Sequence, residues 1–120
     1  MALGLALHLT AEETARGAHL ENLIVTDLLA WRETQTRRPN ILYWRTSKGQ
    51  EVDFVVETAT NLLPIEVKSS SSVRTEDARH LKTFIREYPE RASAGLLIYG
   101  GEDAYWLTDR VLAVPWSRIL

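Results

Sequence analysis

Between Glu51 and Ser70 the chain runs EVDFVVETATNLLPIEVKSS, two β-strand patterns joined by a short turn. Valine, isoleucine and phenylalanine fill both runs, as strands favour, yet each run has a charge inside it. Asp53 lies between Val52 and Phe54, and Glu66 lies between Ile65 and Val67, with Lys68 next. Such a chain must build a sheet with charged groups near its centre, or leave that face open to water. Residues two apart in a strand share a face. Alternation therefore puts Val52, Phe54 and Val56 on one face and Glu51, Asp53 and Val55 on the other. It also sets Ile65 and Val67 against Glu66 and Lys68. If the two strands are hairpin neighbours, Asp53, Glu66 and Lys68 converge on one patch.

The flanking patterns supply the rest of the fold. From Thr10 to about Glu33 apolar residues recur at helical spacing, at Leu20, Leu23, Ile24, Leu28 and Trp31. Thr10 suits an N-cap, with Glu13 completing a capping box. Ahead of it Leu3, Leu5, Leu7 and Leu9 alternate, which fits a short strand or the tail of another helix. Ile41 to Thr46, Glu51 to Glu57 and Leu62 to Ser69 read as three strands, the first two joined by a Ser47–Gln50 turn. Thr75 is the expected N-cap of a second helix that buries Leu81, Phe84, Ile85 and Tyr88 and stops at Pro89. Ala94 to Tyr99 is a continuous apolar run, as in a strand covered on both faces. Tyr105 to Thr108 and Val111 to Val114 read as a closing hairpin. The expected class is α/β or α+β, a mixed central sheet flanked by helices.

At 120 residues the chain is expected to be one domain, 1–120, with a single core. A net charge of −2 removes bulk positive charge as a sign of nucleic-acid binding and leaves room for a local basic patch. Cysteine is absent, so disulfide and thiolate chemistry are excluded and a reducing cytoplasm is the expected location. The apolar start lacks a basic region and turns acidic early, unlike a signal peptide. No apolar run is long enough to span a bilayer, and no membrane partner is expected.

Glu21 adds a fourth charge. Its neighbours on the helix face are Gly17, Ala18, Ile24, Val25 and Leu28, all apolar, so that face should press on the sheet. Three carboxylates close together cannot all stay ionised without compensation, and one lysine is too little. A hard divalent cation, Mg²⁺ or Mn²⁺, would balance the set. The plainer alternative is a solvated face carrying an exposed Glu66–Lys68 pair.

In these residues the chain resembles the PD-(D/E)XK nuclease superfamily. More narrowly, GAHLENLIVTDLL, YWRTSKGQEVDFVV, LLPIEVKSS and the closing VPW resemble an uncharacterised domain usually found C-terminal to an AAA+ ATPase module. The resemblance implies a restriction-endonuclease-like αβββαβ core. It implies that Asp53, Glu66 and the carbonyl of Val67 bind Mg²⁺, with Glu21 ligating directly or through water. Lys68 would orient or deprotonate the attacking water. The superfamily's proline before the first acid is Val52 here. No phosphate-binding G-x-x-x-x-G-K-[ST] occurs, so the chain reads as a stand-alone relative or as the terminal piece of an ATPase-linked protein.

Arg79, Lys82 and Arg86 form a basic stripe on the second helix that could track phosphates, and Arg74 is the basic residue expected nearest the site. Arg37 and Arg38, with Arg45 and Lys48, form a second candidate patch. His8, His19 and His80 lack metal-ligand spacing, and His80 reads as a helix-surface residue. The serine run has no nucleophile elbow. Trp31, Trp44, Trp106 and Trp116 read first as core residues. The leading expectation is a Mg²⁺-dependent nuclease domain acting on DNA, branched or junction DNA included, with Glu21, Asp53, Glu66 and Lys68 as its catalytic set. The alternatives are a non-catalytic nucleic-acid- or protein-binding appendage of an ATPase in cis or trans, and a protein-interaction module using exposed tryptophans.

Overall fold

The computed structural model describes residues 2–5 and 16–119. The expected Thr10–Glu13 capping box lies outside the described residues, as do Leu7, His8 and Leu9. In chain order the elements are β1 (Ala2–Leu5), α1 (Arg16–Glu33), β2 (Asn40–Arg45), β3 (Glu51–Glu57) and β4 (Leu62–Val67). They continue with α2 (Arg79–Glu87), β5 (Gly95–Tyr99), β6 (Tyr105–Trp106) and β7 (Val111–Pro115). The architecture is α+β, and the seven strands form one mixed sheet in the order β1-β2-β3-β4-β5-β7-β6.

Sequence-adjacent strands β1 to β4 pair antiparallel, β2 and β3 being joined by a turn in which Gly49 takes φ +86°. β4, β5 and β7 pair parallel, so α2 has to carry the chain over the sheet between β4 and β5. The short β6 closes the far edge, antiparallel to β7 as the hairpin pattern predicts.

One apolar cluster lies on each face of the sheet. On one side α2 presses Leu81, Phe84 and Ile85 onto Trp44, Val55 and Leu97. On the other, Leu20, Ile24 and Val25 of α1 cover Phe54, Ile65 and Ile98. The sheet is thus covered on both faces, which explains the apolar β5 between two parallel neighbours. Leu23 and Trp31, which fit the helical period, are both 43% exposed on α1. Their spacing is helical, but they lie outside the arc that reaches the sheet.

Two local expectations are corrected. The second helix begins with a 3-10 turn, Thr75–Ala78, whose N-cap is Arg74 rather than Thr75. There Asp77 Oδ2 accepts the Arg74 backbone N–H at 2.8 Å, the reach-back bond that a capping box takes from its third helical residue. Strict alternation also fails in β3. Leu42 is level with Val55 and Trp44 with Val52, so β3 carries Asp53 and Phe54 where β2 has only Tyr43. This extra residue is a β-bulge. It turns Val52 toward the α2 side with Val55, while Phe54 and Val56 stay on the α1 side.

Candidate functional site: an acidic fork between two strands

The site is set where the sheet changes from antiparallel to parallel pairing. The β3–β4 ladder has Phe54 level with Ile65, and β4 pairs parallel with β5 at Ile65 to Val67. Beyond the Phe54–Ile65 pair the strands part. The next β4 amide, on Val67, has no backbone carbonyl opposite and instead donates to Asp53 Oδ2 at 2.9 Å. Lys68 N–H donates to Ile98 O on β5 at 2.7 Å. The bulge gives Asp53 the freedom to turn in and satisfy an amide that would otherwise be orphaned.

Glu66 stands beside it and is 7% exposed, the one buried charged residue among those described. Its face is the α2 side, opposite Ile65 and Val67, and its Oε1 lies 3.7 Å from His80 Nδ1. That separation is too long for a hydrogen bond, and the two attract as ions only when both are charged. Glu21, half-buried, comes from α1 on the other side of the sheet. Alternation alone expects one common face. In the structure Asp53 occupies the fork, and Glu66 and Glu21 approach it from opposite layers. Lys68 is exposed just past the end of β4, which stops at Val67 rather than running on to Ser69 as expected.

The electrostatics follow from this placement. Burial, then the carboxylates of Asp53 and Glu51, raise Glu21 to about 7 against the pull of Lys68. Burial raises Asp53 to about 6, opposed by the Val67 N–H and by Lys68, with Glu51 adding to the rise. Burial and then Asp53 carry Glu66 to about 8, Glu51 adding and Lys68 and Arg79 opposing. The site therefore holds more negative charge than its single lysine can offset, and protonation relieves it near neutral pH.

A hard cation suits this donor set, since every strong donor is a carboxylate oxygen. Among the described residues no three acidic or histidine side chains come together around one point. That does not oppose Mg²⁺, which is usually held by one or two carboxylates with waters and substrate phosphate completing the shell.

A profile of the domain of unknown function DUF4143 matches residues 16–119. The chain belongs to this family. Over 98% of its length this DUF4143 chain is 30% identical to two uncharacterized mycobacterial proteins, Mb2031c of Mycobacterium bovis and Rv2008c of Mycobacterium tuberculosis. It spans only 25% of the length of each. No solved structure matches this chain.

Within the DUF4143 fold the basic residues are scattered. Arg79 is near enough to pull on Glu66. Lys82 and Arg86 lie exposed on α2, Arg86 donating to Thr83 Oγ1 at 3.3 Å. Arg74 lines a groove with Lys68 and sits 3.7 Å from Glu76. Arg37 and Arg38 precede β2 while Arg45 and Lys48 follow its start by a strand's length, so they form two groups at opposite ends of β2. Sequence reasoning missed His80, which is only 23% exposed and faces Glu66 rather than open solvent. Its signal was its place one residue before the buried Leu81. It also passed over Glu51, which bears on all three shifted carboxylates although Arg45 pairs with it at 3.4 Å. No membrane-crossing helix is found among the described residues. Of the tryptophans only Trp44 is a core residue; Trp31, Trp106 and Trp116 are exposed.

Proposed function

We propose that this chain is a divalent-cation-dependent nuclease domain of the restriction-endonuclease-like, PD-(D/E)XK kind, hydrolysing DNA phosphodiester bonds in the cytoplasm. The observation that carries the reading is the fork itself. Asp53 and the buried Glu66 meet where two strands part, with Glu21 and Lys68 on the rim. Burying carboxylates costs several kcal/mol unless they are compensated, and a purely structural fork would need one acceptor for the Val67 N–H rather than three acids.

In this reading Asp53, Glu66 and the Val67 carbonyl hold Mg²⁺ or Mn²⁺, and Glu21 reaches it directly or through water. The ion supplies a water of lowered pKa and charge stabilisation at the phosphoryl oxygens. Lys68 orients that water and offsets the charge that develops on the phosphate. Arg74, Arg79, Lys82 and Arg86 are the proposed backbone contacts, Arg74 being nearest the rim groove.

A second reading, a non-catalytic DNA- or protein-binding appendage of an AAA+ ATPase, draws on the quarter-length match to the mycobacterial proteins and on the aromatic side chains left exposed. The deciding experiment is cleavage of supercoiled, linear, single-stranded and four-way-junction DNA with Mg²⁺ or Mn²⁺, wild type beside Lys68→Ala and Asp53→Asn. The nuclease reading expects cation-dependent cutting that both substitutions reduce by at least about 100-fold. Cutting that survives both removes these residues from the site. A folded wild type that cuts none of the four supports the appendage.

A further inference from the structure

The three mutually parallel strands β4, β5 and β7 end at the same side of the sheet, and a groove runs across their ends. Ser69 to Ser71 enter it after β4, Gly100 after β5 and Trp116 after β7. In open α/β sheets the crevice beyond the carboxyl ends of parallel strands is where ligands bind. Here the crevice begins one residue past Lys68.

Its floor is fixed. Gly100 N–H donates to Ser70 O at 2.8 Å. The Ser70 hydroxyl donates to Ser72 O at 2.6 Å and accepts from the Ser72 N–H at 3.2 Å. A Cβ on residue 100 would lie 2.9 Å from Ser69 O, so the loop and the β5 end are packed as closely as glycine permits. Above this floor Trp116 is 39% exposed, and Leu23, 43% exposed, joins it from α1. A second groove shares Ser70 and is lined by Lys68 and Arg74 together with Glu76, 3.7 Å from Arg74, and Asp77, whose carboxylate is engaged by the Arg74 N–H. Among the described residues of this groove, the exposed Lys68 is thus the cation without an acidic partner. An aromatic surface thus lies next to two cations across one pinned loop. This alternation suits a nucleotide whose base stacks on an aromatic ring while its phosphate meets positive charge. A paired base inside a duplex cannot offer its face in this way.

We propose that this groove is a subsite for an unpaired nucleobase stacked on Trp116, its strand passing the serine loop with its phosphate toward Lys68 and Arg74. The inference rests on the nucleic-acid reading above and deepens it, making single strands, flaps and open junctions the substrates this site engages.

The test is fluorescence anisotropy of the 120-residue chain with labelled oligothymidylate, oligouridylate, an abasic strand of equal length and a duplex. Ca²⁺ is present as an oxygen-seeking ion for the carboxylates. Trp116→Ala should weaken binding of the thymidylate strand about tenfold. Trp116→Phe should keep most of the affinity, which separates lost stacking from lost fold. Trp106→Ala should leave binding unchanged, although Trp106 is 60% exposed, because it lies on β6. The abasic strand and the duplex should bind more weakly and be insensitive to Trp116→Ala, and the uridylate arm decides between DNA and RNA. Equal affinity of wild type and Trp116→Ala, equal binding of the abasic strand, or no binding of any strand overturns the subsite. Cleavage in Mg²⁺ is scored separately: cutting with a Trp116-insensitive strand sinks only the subsite, and Trp116-dependent binding without cutting sinks only the nuclease.

Discussion

Glu66 concentrates the energetic conflict of this molecule in one side chain. Its carboxyl is raised from 4.5 to about 8, first by burial and then by Asp53. Between those values the folded chain binds more protons than the unfolded one, so stability without divalent cation falls as pH rises. The shifts on Asp53 and Glu21 end at about 6 and 7, which leaves the interval from 7 to 8 mainly to Glu66. Thermal melts should therefore decline from pH 5 to 8, and Glu66→Gln should remove most of the decline in its upper part. Added Mn²⁺ should raise the wild-type midpoint at pH 8 and have little effect on Glu66→Gln. A second comparison isolates the hydrogen bond at the fork. Asp53→Asn and Asp53→Ala both delete the charge, but only asparagine keeps an acceptor for the Val67 N–H. Denaturant titration should find the alanine variant less stable than the asparagine variant by about 1–3 kcal/mol. Asp53 and Glu66 stand out in the sequence as candidates because charges inside apolar strands violate an otherwise regular pattern, and Lys68 follows just past the end of β4. His80 does not stand out, because a histidine beside a buried helical residue reads the same whether it faces water or a carboxylate.

At the scale of elements, the order of helices and strands could be read from periodicity, and the exceptions have physical causes. The bulge opposite Tyr43 leaves no trace in composition, since EVDFVV alternates acceptably in either register. It is settled by tertiary packing, which sends Val52 to the α2 face and frees Asp53. The exposure of Leu23 and Trp31 was equally hidden, because periodicity specifies an apolar arc but not which part of it the sheet covers. Two substitutions test the packing. Phe84→Ala should cost about 3–5 kcal/mol, since Phe84 is fully buried with its ring centroid 5.4 Å from that of Trp44. Gly100→Ala should cost about 1–3 kcal/mol, because the added methyl meets the Ser69 and Ser70 carbonyls at 2.9 and 3.1 Å. Both are read from chemical denaturation.

Over the whole molecule a single sheet separates two apolar layers, and neither layer is complete without it. Ile24→Ala on the α1 side and Phe84→Ala on the α2 side should both lower one common transition rather than split it. Coincident far- and near-ultraviolet circular dichroism melts would check this. The mixed pairing of that sheet also orders events in time. β2, β3 and β4 are joined by short turns and can zip as local hairpins, whereas β4, β5 and β7 meet only after the chain has crossed the sheet. Pairings distant in sequence close late because they pay for long loops first. The acidic fork sits on the seam between these halves. The early β3–β4 hairpin already carries Asp53 and Glu66 side by side, and the later docking of β5 and the helices is what takes them out of water. The burial that raises both carboxyls is therefore met at the end of folding, when the covering layers close over the fork.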